Sequence, residues 1–266
     1  MKTIFITGAT DGIGKQATID LSGAGNKIIA HGRNRERLEV LKEEILVSNP
    51  NADIQTVLAD FEDLKQISLM CDEIIRTNNK IDVLFNNAAS YFENKEFSVN
   101  GLEKNFQVNH LSYVLVAEKL SNLLKNSEQG RIINVSSMIH AVKIDFDDLQ
   151  GEKSYSGRSN YALSKLLNIL HANKLARNFE GTNITSHALH PGVIETKLLN
   201  SAFKGGLPVS EGSKTFVYLA NEDAAGQLTG QYFENNRPMR SNPVSYDTDV
   251  QDKLQEISIS LIKNYL

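Results

Sequence analysis

The 266 residues predict a single α/β domain: a doubly wound parallel sheet of about seven strands with helices on both faces. Three observations predict it. Short apolar, β-branched runs alternate along the chain with longer segments of helical apolar spacing, and repeated β–α alternation builds a parallel sheet covered on both sides. A glycine turn, Gly8-Ala-Thr-Asp-Gly12-Ile-Gly14, separates the first run from the first helical segment. Polar or small residues stand where strand runs end, at Asp60, Asn86 to Ala89, and Ser136-Ser137. Open sheets of this kind bind ligands at that edge.

In order, residues 3–7 (TIFIT) read as a buried strand, followed by the glycine turn and a helix in KQATIDLSGAG. Glycines between a strand and a helix let backbone N–H groups approach a pyrophosphate at the positive helix end. The spacing is Gly-x3-Gly-x-Gly rather than the common G-x-G-x-x-G, so a plain tight turn is the competing reading. KIIAHG (27–32) is the second strand. It ends in His31-Gly32-Arg33-Asn34 with no acid before Glu36. An acid there would suit the ribose hydroxyl of NAD, whereas an arginine suits the 2′-phosphate of NADP. Arg33 is otherwise a solvated surface charge.

Residues 35–47 form an amphipathic helix, 53–60 a strand ending at Asp60, 63–77 a helix and 81–89 a strand running into NNAA. GLEKNFQVNHLSYVLVAEKL (101–120) is a long helix that holds Asn109, a poor helix former. RIINVSS is a buried strand ending in two hydroxyls, and the helix through YALSKLLNIL continues to about Phe179. Tyr161 and Lys165 lie four apart, one turn from each other on one helix face. A phenol beside an ammonium is a proton-transfer pair, since the positive charge favours phenolate. Among eight tyrosines and many lysines such a pair also arises by chance.

NITSHALH (183–190) is the sixth strand, stopped by Pro191-Gly192. His187 and His190 fall on opposite faces of it, which argues against a metal site. Residues 194–209 suit a mobile loop over a site. A helix in EGSKTFVYLA, a last strand in GQYFEN and a terminal helix over 248–264 complete the chain.

Composition excludes several classes. The charged content of 23% and hydrophobic content of 41% are those of a globular domain. A net charge of −4 without a basic run argues against nucleic acid as a partner. The single cysteine, Cys71, excludes an internal disulfide and sits in an apolar stretch as a core residue. The apolar run in MKTIFITGAT is too short for a signal peptide, and none later reaches the ~18 residues of a membrane span. A cytoplasmic chain without a membrane partner is therefore expected.

Taken together, TGATDGIG at 7–14, Asp60, NNAA at 86–89, Asn109, VSS at 135–137, YALSK at 161–165 and HPG at 190–192 resemble the short-chain dehydrogenase/reductase family, in the family's order and over almost the whole chain. GLEKNFQVNHLSYVLV, the segment from Asp148 to Phe179, SHALHPGVIETKL and GQYFENNRP resemble its retinol-dehydrogenase-like branch. Ala89 stands where the family often has glycine, and the chain is expected to lack the membrane anchor of many animal retinol dehydrogenases. That second difference weakens a retinoid substrate more than the chemistry.

The resemblance implies one Rossmann-type domain over 1–266 with a substrate loop at about 191–215. It implies a catalytic set of Asn109, Ser137, Tyr161 and Lys165. Tyr161 would hand a proton to the carbonyl oxygen, and Lys165 would lower its pKa and hold the nicotinamide ribose. Ser137, rather than Ser136, would hydrogen-bond the substrate oxygen, and Asn109 would hold a water linking Lys165 to solvent. NADP(H), with NAD(H) as the alternative, would lie on Gly8, Thr10, Asp11, Gly12, Ile13, Gly14, Arg33, Asp60, Asn87 and Ala88. It would also meet Tyr161, Lys165, Pro191, Gly192, Val193 and Thr196. A homodimer or homotetramer through the helices 101–124 and 157–179 is expected by the same analogy.

Chain order places Ser90, Tyr91, Phe92, Met138, Ile139 and Val193 around the substrate, with Leu198, Leu199 and Phe203 on the overlying loop and Lys197 and Lys204 as nearby charges. Most are apolar, which suits an uncharged aldehyde, ketone or alcohol. A non-catalytic NADP(H)-binding sensor is the alternative, but a sensor has no need of the complete catalytic set. A sugar-nucleotide epimerase or dehydratase is a third reading. The roughly 75 residues after Pro191 leave little room for its larger substrate region.

Overall fold

The computed structural model describes residues 1–196 and 205–266. The described strands form one sheet of eight in the order β3-β2-β1-β4-β5-β6-β7-β8. They are β1 (Thr3–Ile6), β2 (Lys27–Gly32), β3 (Ile54–Leu58), β4 (Val83–Asn86), β5 (Gly130–Val135), β6 (Ile184–His190), β7 (Gln231–Glu234) and β8 (Arg237–Met239). All neighbours are parallel except β7 and β8. The order reverses between β1 and β4, so their carboxyl ends open the crevice that defines the ligand edge.

The strands are continuous apolar runs because both faces are buried. Side chains alternate between faces. Phe5, Ile29, Leu84 and Ile132 meet one helical layer, and Ile4, Ile28, Phe85 and Ile133 meet the other. The helices, in chain order, are α1 (Gly12–Gly23), α2 (Arg35–Ser48), α3 (Leu64–Thr77), the single turn α4 (Lys104–Phe106), α5 (Ser112–Lys125), α6 (Gly157–Asn178), α7 (Val209–Asn221), the short α8 (Asp223–Gly226) and α9 (Thr248–Ile262). Residues of α1, α2 and α7 join one core, and those of α3, α5, α6 and α9 the other.

Two features differ from the sequence expectation. The eighth strand follows a two-residue turn in which Asn235 (φ 49°) and Asn236 (φ 63°) both take left-handed conformations, the geometry of a tight hairpin. With three exposed residues, one of them Pro238, it carries no strand signal of its own. The helix expected over 101–120 is interrupted by a π segment, Gln107–Leu111, between α4 and α5, and Asn109 lies at its centre.

A further feature concerns the outer faces of α5 and α6. Here α9 lies across them. Asp252 bridges Lys174 (2.8 Å) and Arg177 (2.9 Å) of α6, and Gln255 donates to Glu118 of α5 at 2.9 Å. Ser258 meets His110 at 3.1 Å. Leu254 and Ile262 are buried in the shared core. The chain's own terminal helix thus packs on α5 and α6.

Candidate active site

The glycine turn is shaped to cradle a ligand. Gly8 (φ +68°) and Gly12 (φ +54°) take conformations that side chains disfavour. A Cβ on Gly14 would lie 2.2 Å from the Gly8 carbonyl oxygen. Asp11 caps α1 by accepting from Gly12 N–H at 2.9 Å. The first free N–H groups of the helix therefore face a cleft of about 770 Å³.

The rest of the cleft wall is built by neighbouring strand ends. Asn87 donates its amide to Thr7 O (2.7 Å) and Gly8 O (3.2 Å), and the Thr7 hydroxyl accepts from the backbones of Asn87 and Ala88. Asp60 accepts from Glu62 N–H at 3.0 Å and orders the turn that carries Phe61. Thr10, Ile13, Arg33 and Thr196 also line the cleft. An open groove at the start of α1, shaped by the glycine turn and closed by Asp60 at one side and by Arg33 on the rim, fits the pyrophosphate and adenosine of a dinucleotide.

Two residues that the sequence reading missed belong here. Arg37, in the first turn of α2, lines the cleft beside Arg33. Their charges lean on acids, Arg33 on Glu62 and Arg37 on Asp11, both at 3.7 Å. His31 is buried at the end of β2. Its Nδ1 accepts from Gly8 N–H (3.1 Å), its Nε2–H donates to Ala59 O (3.0 Å), and its ring stacks on Phe61 at 4.3 Å. Burial lowers its pKa to about 4, so the imidazole stays neutral and keeps this tautomer. A second arginine in the first turn of α2, four residues after Arg33, was the available signal for the first. No signal marks His31.

The reactive groups sit at the carboxyl ends of β5 and β6. The two hydroxyls that end β5 separate cleanly. Ser136 is buried and donates to Lys165 O at 2.8 Å. Ser137 is half-buried, and its oxygen accepts from Ile139 N–H at 3.0 Å, which leaves its own proton to donate. Tyr161 stands edge-on to Tyr91, with ring centroids 5.9 Å apart. Lys165 is buried, donates to Val135 O at 3.1 Å, and holds its ammonium 5.5 Å from the centre of the Tyr161 ring.

Here the electrostatics differ from the expectation that Lys165 lowers the phenol's pKa. Burial dominates both groups. It pushes the Tyr161 phenol well above its ordinary value and pulls the Lys165 amine down to about 7. A protonated phenol is the form that can give a proton to a carbonyl oxygen.

Asn109 is engaged by the chain around it. Its amide donates to Ser90 O (2.9 Å) and Ser164 Oγ (3.2 Å), and its Oδ1 accepts from Ser90 N–H (2.8 Å). The side chain thus holds the Ser90 segment against α6.

Further along that segment the buried Glu103 and Asn105, with Tyr155, hold Phe92. Tyr155 donates to Phe92 O at 2.8 Å, and Phe92 N–H donates to Asn105 Oδ1 at 3.2 Å. The sequence did not single out these anchors, because they meet only through the fold. Ser90, Tyr91, Phe92 and Ile139 are half-buried, and Met138 and Val193 are exposed at 55% and 44%.

Pro191, Gly192 (φ +99°) and Val193 lead from β6 into a short parallel bridge between Ile194 and Leu207. The expected loop residues Lys197, Leu198, Leu199, Phe203 and Lys204 lie outside the described residues. Among the described residues no cluster of metal-ligating side chains occurs, and no helix is long and apolar enough to cross a membrane.

Comparison with known proteins follows this geometry. The family model for short chain dehydrogenases matches residues 2–205. Human retinol dehydrogenase 14 is 34% identical, over 97% of this chain and 85% of its own length. The chloroplastic short-chain dehydrogenase TIC 32 A of Brassica napus is 32% identical, over 98% of this chain and 89% of its own. Among solved structures, a Mycobacterium paratuberculosis protein superposes with a TM-score of 0.83 at 24% identity, covering 99% of this chain and 94% of its own. An Escherichia coli short chain dehydrogenase complexed with NADPH superposes with a TM-score of 0.74 at 21% identity, covering 89% of this chain and 97% of its own.

Proposed function

Because the chain belongs to the short-chain dehydrogenase/reductase family and is thus an NAD(P)-dependent oxidoreductase, we propose that it interconverts an apolar aldehyde or ketone and its alcohol with NADP(H). The observation that carries this reading is the convergence of Ser137, Tyr161 and Lys165 at the carboxyl ends of β5 and β6, beside a glycine-lined dinucleotide cleft.

The backbone N–H groups of Ile13 and Gly14, at the start of α1, would face the pyrophosphate across the glycine turn, Asp60 would meet the adenine end, and Arg33 would meet the 2′-phosphate. The cofactor supplies or accepts the hydride. Ser137, already accepting from Ile139, donates its proton to the substrate oxygen and fixes it beside Tyr161. The phenol delivers the proton as charge develops on that oxygen, a contribution of typically 10²–10⁴-fold. Lys165 holds the ribose hydroxyls with the ammonium protons that Val135 O leaves free. Pro191, Gly192 and Val193, at the end of β6, lead into the wall over the substrate. Tyr91, Phe92, Met138, Ile139 and Val193 make that wall largely apolar, as an uncharged substrate requires.

Two measurements test the proposal. A carbonyl panel that follows NADPH absorbance, with aliphatic aldehydes set against their ω-carboxylates, should favour the uncharged members. Each methylene that enters an apolar pocket should add up to ~0.8 kcal/mol to transition-state binding. A preference for the carboxylates would overturn the substrate class. Tyr161→Phe should cut turnover by at least about a hundredfold while NADPH affinity stays within a few-fold. Turnover retained above about a tenth of wild type would remove Tyr161 from the acid's role.

A further inference from the structure

We propose that Tyr232 and His140 form a clamp that positions Ser137 for its hydrogen bond to the substrate. This inference rests on the reading of Ser137 given above. The Ser137 carbonyl oxygen accepts twice, from His140 Nδ1–H at 2.7 Å and from the Tyr232 hydroxyl at 3.2 Å. The two donors come from different parts of the fold. His140 lies three residues along the same loop, whereas Tyr232 is on β7, 95 residues further on. Their rings meet edge to face at 5.9 Å, so each also fixes the other.

Tyr232 is 5% exposed and packs with Ile169, Ala172 and Ala188 between α6 and β6. Its phenol is therefore a fixed post rather than a swinging arm. The neighbouring residue is tied as well. Ser136 N–H donates to Leu189 O at 2.7 Å and its hydroxyl to Lys165 O at 2.8 Å. Ser137 is thereby referenced to β6, β7 and α6 at once, and α6 carries Tyr161 and Lys165. A serine two residues beyond a strand end has no regular hydrogen-bond ladder to hold it. A donor aimed at a reacting oxygen must nonetheless be held to a fraction of an ångström. The clamp supplies that constraint through the carbonyl and leaves the Ser137 proton free for the substrate.

His140 and Tyr232 are positioning residues and act only through Ser137. A double-mutant cycle reads this directly. Tyr232→Phe keeps the buried ring and removes one hydrogen bond. With octanal, or the best carbonyl of the panel, it should lower kcat about tenfold, and simultaneous removal of the His140 donor in His140→Phe should approach the ~100-fold that a 1 Å misplacement can cost. NADPH affinity, read by fluorescence titration, should be unchanged. On a Ser137→Ala background Tyr232→Phe should produce no further loss. Wild-type kcat in both Tyr232→Phe and His140→Phe would overturn the clamp, as would a loss that multiplies onto that of Ser137→Ala. Full activity of Ser137→Ala itself would instead remove the reading of Ser137 on which the clamp depends.

Discussion

Arg33 and Arg37 place two guanidinium groups on one rim of the cofactor cleft. Each leans on an acid at 3.7 Å with more than half of its side chain exposed. Pairs of that kind contribute little, so both arginines can turn to a phosphate at small cost. A charge-assisted contact to a 2′-phosphate is worth ~1.5–3 kcal/mol, about ten- to a hundredfold in affinity. Arg33→Asp and Arg37→Ala should each weaken NADPH binding by that factor and leave NADH binding nearly unchanged, as measured by fluorescence titration of both cofactors. Wild-type protein that binds NADH as tightly as NADPH would show that the two arginines read no phosphate. Single residues were legible where the chemistry requires a particular group. Tyr161 and Lys165 stand out in the chain by their one-turn spacing, and Ser137 through the resemblance that its motif carries. Glu103, Tyr155 and His31 did not, because they act through partners distant in the sequence, such as Phe92 and Gly8.

Secondary elements were legible where periodicity is strong. The strand over 27–32 and the helices over 64–77 and 157–178 match their expected ranges to within a residue or two. The π turn at Gln107–Leu111 was not, since a one-residue widening leaves no compositional mark. A second element feature is a contact rather than a conformation. Gly157 opens α6, and a Cβ there would lie 2.5 Å from Glu93 Cα and 2.6 Å from Phe92 O. Both obstacles are backbone, so neither can rotate away. Alanine would favour the helix by about 1 kcal/mol, but the clash should outweigh that gain by driving the Phe92 wall from the helix that carries Tyr161. Overpacking of this kind costs typically ~1–3 kcal/mol. Gly157→Ala should therefore melt at a lower temperature and show a raised KM for the carbonyl, with NADPH affinity retained. A melting temperature at or above wild type would mean that the wall yields freely.

On the scale of the whole molecule, five of the six histidines are buried in the two layers flanking the sheet or at its ligand edge: His31, His110, His171, His187 and His190. The placement was invisible in the sequence, where His187 and His190 offered only a spacing and the others no pattern. His110 joins the π segment to Asn168 of α6 and Ser258 of α9. His171 accepts from Asn134 of β5 at 3.1 Å, and His187 donates to Ala225 O at 3.1 Å. These imidazoles knit the terminal helix and the strand ends together only while neutral. Burial lowers the pKa of His31, His110, His187 and His190 to about 4 and that of His171 to about 3. In the unfolded chain the same groups titrate near 6.5. Between about pH 6.5 and pH 4 the unfolded state therefore binds more protons than the folded one, and stability must fall as pH falls. The stabilisation is fully present well above pH 6.5. Each histidine can remove up to about 1.4 kcal/mol per pH unit through that window. Five acting together would exhaust much of the 5–15 kcal/mol that a domain possesses. Urea unfolding at pH 7.5, 6.5 and 5.5 should show a loss of about 2 kcal/mol between the first two, where the unfolded-state imidazoles are half protonated, and a further drop of several kcal/mol at the third, with no comparable change between pH 7.5 and 8.5. A stability that stays level down to pH 5 would require these histidines to be charged in the folded protein, and their hydrogen bonds to Gly8, Asn134 and Ala225 would then need a different arrangement.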